Sequence, residues 1–144
     1  MPSANDRPPA LRLQDVHRRF RVGRRTVTAL DGVSAMAPDG GVTGVIGPDG
    51  AGKTTLMRLI AGLLRPDDGV IEVLGIDVAR EPLAVQSRLG YMPQRFGLYE
   101  DLTVQENLDL YADLREVLPA ERSARYDQLL HMTGLGPFRG RMAG

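Results

Sequence analysis

Gly47-Pro48-Asp49-Gly50-Ala51-Gly52-Lys53-Thr54 forms an uninterrupted G-x-x-x-x-G-K-T run, the pattern of a loop that wraps a chain of phosphates. The chemistry follows from the residue types. Glycines let successive backbone amides turn inward toward one anion. Lys53 carries a compact ammonium on a thin stem, suited to the β- and γ-phosphates, where a planar guanidinium is too wide. Thr54 offers a hydroxyl to Mg²⁺. Lys53 is also the only lysine among 18 basic residues. Everywhere else the chain uses arginine, and a randomly placed lysine would fall here roughly one time in eighteen.

Such a loop works only when a strand delivers it and a helix receives it. Val42 to Ile46 reads as a short buried strand bounded by glycines. Lys53 to Gly62 reads as a helix with Leu56, Leu59 and Ile60 on one face. Its free N–H groups and the positive end of its dipole would add to the anion site. Upstream, Leu11 to Arg21 and Thr26 to Leu30 alternate as strands around a Val22-Gly23-Arg24-Arg25 turn. Val33 to Ala37 reads as a further strand, and these early strands suggest an antiparallel sheet. Downstream come a strand at Val70 to Leu74, a short helix at Leu83 to Arg88 and a short strand at Leu89 to Met92. From Thr103 the pattern turns helical. Thr103-Val104-Gln105-Glu106 is a capping box, followed by Leu108, Tyr111, Ala112 and Leu114 at helical spacing. Pro119 opens a second helix that carries Tyr126, Leu129 and Leu130 and ends near Gly134.

Composition narrows the chemistry. The 144 residues match one ordinary domain, and the formal net charge is zero. A neutral chain argues against a nucleic-acid footprint. Arg18, Arg19, Arg21, Arg24 and Arg25 surround Phe20 on the expected hairpin, where a solvated face is favoured over a nucleic-acid patch. With no cysteine there is no disulfide or thiolate metal site, and two distant histidines make a poor metal pair. No apolar run is long enough to span a membrane, and the polar, proline-rich start does not resemble a signal peptide. A soluble cytoplasmic protein is expected. A second lysine would be needed for an Asn-Lys-x-Asp guanine motif, so adenine is the expected base.

The residues also resemble the ATP-binding cassette (ABC) ATPases. The resemblance runs through Phe20, Ala29-Leu30-Asp31-Gly32-Val33-Ser34, Gly47 to Thr55, Leu59-Ile60-Ala61-Gly62-Leu63 and Pro66-Asp67-Asp68-Gly69. It continues in Tyr91-Met92-Pro93-Gln94 and in Leu98 to Leu108, similar to the family's Q-loop and the start of its helical subdomain. The Gly-Pro-Asp-Gly form and the run from Tyr91 to Tyr99 look most like the drug-efflux, ABC-2-type branch. The resemblance implies an α/β fold: an incomplete P-loop NTPase core of the ABC type, with an antiparallel β-subdomain and the start of the helical subdomain. Residues 1–10 are expected to be disordered and 11–144 to form the partial ATP-binding domain.

The resemblance also assigns roles. Phe20 is similar to the A-loop aromatic that stacks on adenine; otherwise it is an ordinary strand phenylalanine. Gly47, Pro48, Asp49, Gly50, Ala51, Gly52, Lys53, Thr54 and Thr55 would hold the phosphates of ATP. Gln94 resembles the Q-loop glutamine, and with Thr54 it would reach Mg²⁺. A carboxylate aimed at phosphates is unfavourable, so Asp49 is expected to point outward or to bond the loop backbone. The implied partners are a transmembrane permease subunit and a second cassette, with no nucleic acid. The implied location is the inner face of the cell membrane.

The family's Leu-Ser-Gly-Gly signature would follow a segment like Thr133 to Gly144. Neither it, nor a Walker B strand with its Asp and catalytic Glu, nor a switch histidine occurs in these residues. Asp77 follows the Val70 to Leu74 strand but has no adjacent Glu, and is rejected as the Walker B aspartate. The expectation is therefore the N-terminal part of a longer cassette, from a truncated or degraded gene, with poor ATP binding and almost no hydrolysis by itself. A non-catalytic nucleotide-binding fragment and a membrane-free ABC protein are the alternatives.

Overall fold

Alternating side chains along Leu11–Val22 (β1) and Arg25–Ala37 (β2) build a long antiparallel hairpin. Val22 pairs with Arg25, so Gly23 and Arg24 make a two-residue turn with glycine first, the arrangement of a type II′ hairpin. The computed structural model describes residues 8–94 and 97–144. Most of the disordered stretch expected at 1–10, and the pair Arg95 and Phe96 within the efflux-like run, lie outside the described residues.

Two further strands, Asp68–Val73 (β3) and Ile76–Asp77 (β4), complete a sheet in the order β2-β1-β3-β4. Every pairing is antiparallel. Register shifts interrupt β1 between Leu13 and Arg19. Side chains take over where the ladder breaks. Asp15 N donates to Ser34 Oγ at 2.9 Å, and the His17 ring lies 3.2 Å from a carboxylate oxygen of both Asp15 and Asp31.

The helix Lys53–Ile60 (α1) buries Leu56 and Leu59, one turn apart, into a core of Leu13, Val16, Leu30, Ile71, Val73, Val78 and Val85. Gly62, with φ 68°, follows the helix end. A short helix, Pro82–Gln86 (α2), adds Val85 to this core. These elements make a first unit that ends at Tyr91.

Three expectations need correction. Thr26 to Leu30 and Val33 to Ala37 are one strand, because Gly32, at φ 70°, lets β2 bend and continue. Val42 to Ile46 is neither strand nor buried; Val42 and Ile46 are almost fully exposed. A strand needs a ladder partner as well as apolar side chains, and no described strand lies beside this segment. Leu89 to Met92 likewise has no partner and is irregular. Asp77 binds the amides of Ala79 and Arg80 through its carboxylate, which makes it a turn residue.

The second unit, Met92–Gly144, holds the helices Val104–Leu114 (α3) and Pro119–Thr133 (α4) and a 3₁₀ turn at Gly136–Phe138. Ala112, Tyr126 and Leu130 form its core, and Gly134 closes α4 in the left-handed conformation. Asn107 is the buried polar residue of this unit among those described. Its side chain accepts from Tyr99 N and donates to the carbonyls of Tyr99, Leu102 and Thr103 at 2.9–3.2 Å. A buried amide so fully bonded fixes the loop before α3.

The capping box forms as expected, with Glu106 N donating to Thr103 Oγ1 and Thr103 N donating to Glu106 Oε2. The backbone and then the side-chain hydrogen bond from Thr103 hold the Glu106 carboxyl below its ordinary 4.5. A carboxyl depressed in the folded state stabilises it at neutral pH, and that contribution is lost as pH falls through the depressed value. Helical circular dichroism should therefore fall on acidification from about pH 6 to about pH 3. Glu106→Gln, which keeps an acceptor without the charge, should show a smaller fall. Thr103→Ala should lower stability at neutral pH by about 1 kcal/mol in denaturant titration.

Candidate nucleotide-binding site

Gly52 is the N-cap of α1, with φ 87° and ψ 3°. A Cβ built there would sit 2.3 Å from the Ala29 carbonyl oxygen and 3.0 Å from Leu30 Cδ2. The loop–helix junction is thus pressed against β2 as closely as bare backbone allows. Because Gly52 has no side chain, nothing caps α1, and its first turn holds no acidic residue. The first-turn amides and the positive helix end are left for an anion, while Arg58 in the last turn complements the opposite end.

Lys53 folds back over the loop. Its Nζ donates to Gly47 O and Pro48 O, both at 2.7 Å. Ala51 N donates to Pro48 O at 3.3 Å, which tightens the same turn. An ammonium has three donors. Two of them are taken by these loop carbonyls. Thr54 is exposed at the second position of α1, Thr55 is half-buried, and Gly47, Pro48, Asp49, Gly50 and Ala51 are exposed. Exposure of Asp49 fits an outward carboxylate. Backbone donors, a helix N-terminus, one ammonium and one hydroxyl together suit a polyphosphate with a hard cation.

Phe20 lies on β1 opposite Val27. Ala29, the residue that meets Gly52, is two positions further along β2. At about 3.3 Å per strand residue, Val27 and Ala29 are about 7 Å apart. The sheet register therefore links the ring to the loop through one strand. Phe20 is half-buried, and the Arg18 guanidinium lies over its ring at 4.8 Å. Gln94 belongs to the second unit and is exposed. The geometry that joins Phe20 to the loop is confined to the first unit and does not include it. A cavity of about 290 Å³ lined by Pro8, Arg12, Asp39, Glu72 and Leu74 shares no residue with the loop. A groove for a triphosphate is exposed backbone rather than a closed cavity, so the residue chemistry is the better guide to the site.

Residues 30–144 match the family model described as ABC transporter. The chain belongs to the ABC transporter family. Its relatives are named as ATP-binding proteins of such transporters. It is 61% identical over 105 residues to the "Probable multidrug ABC transporter ATP-binding protein YbhF" of Escherichia coli strain K12, covering 73% of this chain and 18% of that protein. It is 48% identical over 102 residues to the daunorubicin resistance ATP-binding protein DrrA3 of Streptomyces coeruleorubidus, covering 71% of this chain and 32% of that one. The dimeric, post-hydrolysis structure of the ATP-binding cassette MJ0796 bound to ADP and Pi superposes with a TM-score of 0.81 at 25% identity. That match covers 92% of this chain and 61% of MJ0796. The chain thus spans less than two thirds of the length of each of these proteins.

Sequence reasoning missed the contacts that hold the site residues in place. Asp67, quoted only as part of the family-like run, accepts from Arg18 Nη1 at 2.7 Å and from Arg19 N at 2.6 Å. Asn107, in the family-like run, had no assigned task. A carboxylate beside a glycine turn and an asparagine on an apolar helix face were the available signals. For the loop, Gly50 and Gly52 give contrasting tests. Gly50 has φ 79° with open space around it, so Gly50→Ala should cost on the order of 1–2 kcal/mol of backbone strain. Gly52→Ala adds the collision with Ala29 and should cost more in thermal unfolding, with a larger loss of triphosphate binding by calorimetry.

Proposed function

We propose that this ABC domain binds ATP and serves as part of a transporter ATPase that couples ATP binding and hydrolysis to export through a membrane partner. The uncapped N-terminus of α1 beside the Lys53-closed loop carries the reading. In it, the amides from Gly50 to Thr55 and the Lys53 ammonium hold the phosphates, and Phe20 stacks on adenine. Thr54 and Gln94 would hold Mg²⁺, whose charge offsets that of the phosphates. Gly52 lets the backbone approach, and Asp49 stays outside the anion's field. These residues bind and orient. The water-activating glutamate that the family places after its Walker B strand is not among these residues, so nucleotide binding is the activity proposed for them alone.

The relatives named for multidrug transport and daunorubicin resistance support export as the direction. The dimeric MJ0796 structure supports a second cassette as partner. Among the described residues no helix is long and apolar enough to cross a membrane. This reading assigns the route for the substrate to a permease, with this domain on the inner face of the membrane. Titration with ATP and Mg²⁺ should show Lys53→Ala binding at least about tenfold more weakly, the loss expected for one charge-assisted contact. Equal affinities for the two proteins would remove the phosphate-loop assignment.

A further inference from the structure

Phe20 does not stand alone on its strand. Arg18, two residues earlier on β1, places its guanidinium carbon 4.8 Å from the centre of the ring. Asp67 anchors that guanidinium at 2.7 Å from Nη1 and also takes the Arg19 amide at 2.6 Å. The Asp67 amide in turn donates to His17 O at 2.9 Å. One residue of the turn before β3 therefore grips β1 at three successive positions. Arg18 Nε is buried with no hydrogen-bond partner among the described residues. A guanidinium stripped of water on that edge gains more from an aromatic face than a solvated one.

A phenyl ring has two faces. Here the guanidinium occupies one, and its fork is locked to a carboxylate 49 positions away in sequence. The ring can neither turn freely nor take a base on that face. We propose that Arg18, held by Asp67, is a positioning residue for base recognition. It fixes the plane of Phe20 and leaves one face to receive the purine ring of the nucleotide. The inference rests on Phe20 being the base platform, as proposed above. It adds that selectivity for a nucleotide over a bare phosphate chain depends on the Asp67–Arg18–Phe20 stack.

The test compares two probes on the full chain, ATP and inorganic tripolyphosphate, each with Mg²⁺ and measured by calorimetry. The phosphate loop serves both probes, whereas only ATP offers a base. The readout is the ratio of their affinities. Arg18→Met should lower ATP affinity about three- to tenfold and leave tripolyphosphate affinity unchanged, approaching the ratio of Phe20→Ala. Arg18→Lys, which keeps a cation for the ring, should retain more of the wild-type ratio than Arg18→Met. If Phe20→Ala loses the ratio while Arg18→Met keeps it, the platform stands and the Arg18 inference is wrong. An equal loss for both probes in Arg18→Met, or no difference between Lys and Met at position 18, would reduce Arg18 to a fold contact and overturn it. If Phe20→Ala itself keeps the ratio, the base platform fails, and this inference with it.

Discussion

The contact between Gly52 and the Ala29 carbonyl governs the rest of the first unit. A β-carbon at 2.3 Å from a carbonyl oxygen cannot exist, so only glycine permits this approach. The approach sets where α1 begins, and the start of α1 sets where its free amides point. It also ties the loop to β2, the strand that pairs with the one carrying Phe20. Leu56 and Leu59 then drive the helix into the sheet, so burial of apolar area keeps the junction seated. The free amides at one end of α1 and the packing along its length are thus one arrangement.

The second unit follows a different logic. It has few buried side chains, and polar contacts do much of the fixing. Asn107 collects the chain around residues 99–103, while Tyr111 donates through its hydroxyl to Gly97 O. Gln105 and Arg139 bond side chain to side chain, and Val104 N and Gln105 N donate to the carbonyls of Arg141 and Arg139. The segment around residues 139–143 therefore lies against the start of α3. Gln94 precedes this network in the sequence.

What could be read in the sequence was what lies close together in it. The phosphate loop, the two-residue hairpin turn, the capping box at Thr103 and the glycine stop at Gly134 are all signals within a few residues. Thr26 to Leu30 and Val33 to Ala37 read as two strands, because the pairing across to β1 that makes them one is not local. Val42 to Ile46 misled for a related reason. Apolar character was legible there, but a ladder partner was not. The Asp67 grip on Arg18 spans 49 positions, and nothing local announces it. The Phe20 and Gln94 assignments came from family likeness, and the fold supplies a strand-borne link to the loop only for Phe20.

The two bonds from Lys53 to Gly47 O and Pro48 O carry a consequence of their own. Recruiting this ammonium fully to a phosphate is an exchange reaction, since neutral carbonyl acceptors must be given up as a charged one arrives. A charge-assisted bond is roughly twice as strong as a neutral one, so the exchange favours ligands of high charge density. A weak or singly charged acceptor gains little from displacing two carbonyls at once. On that exchange alone, the loop would favour a dense chain of charges over a sparse anion.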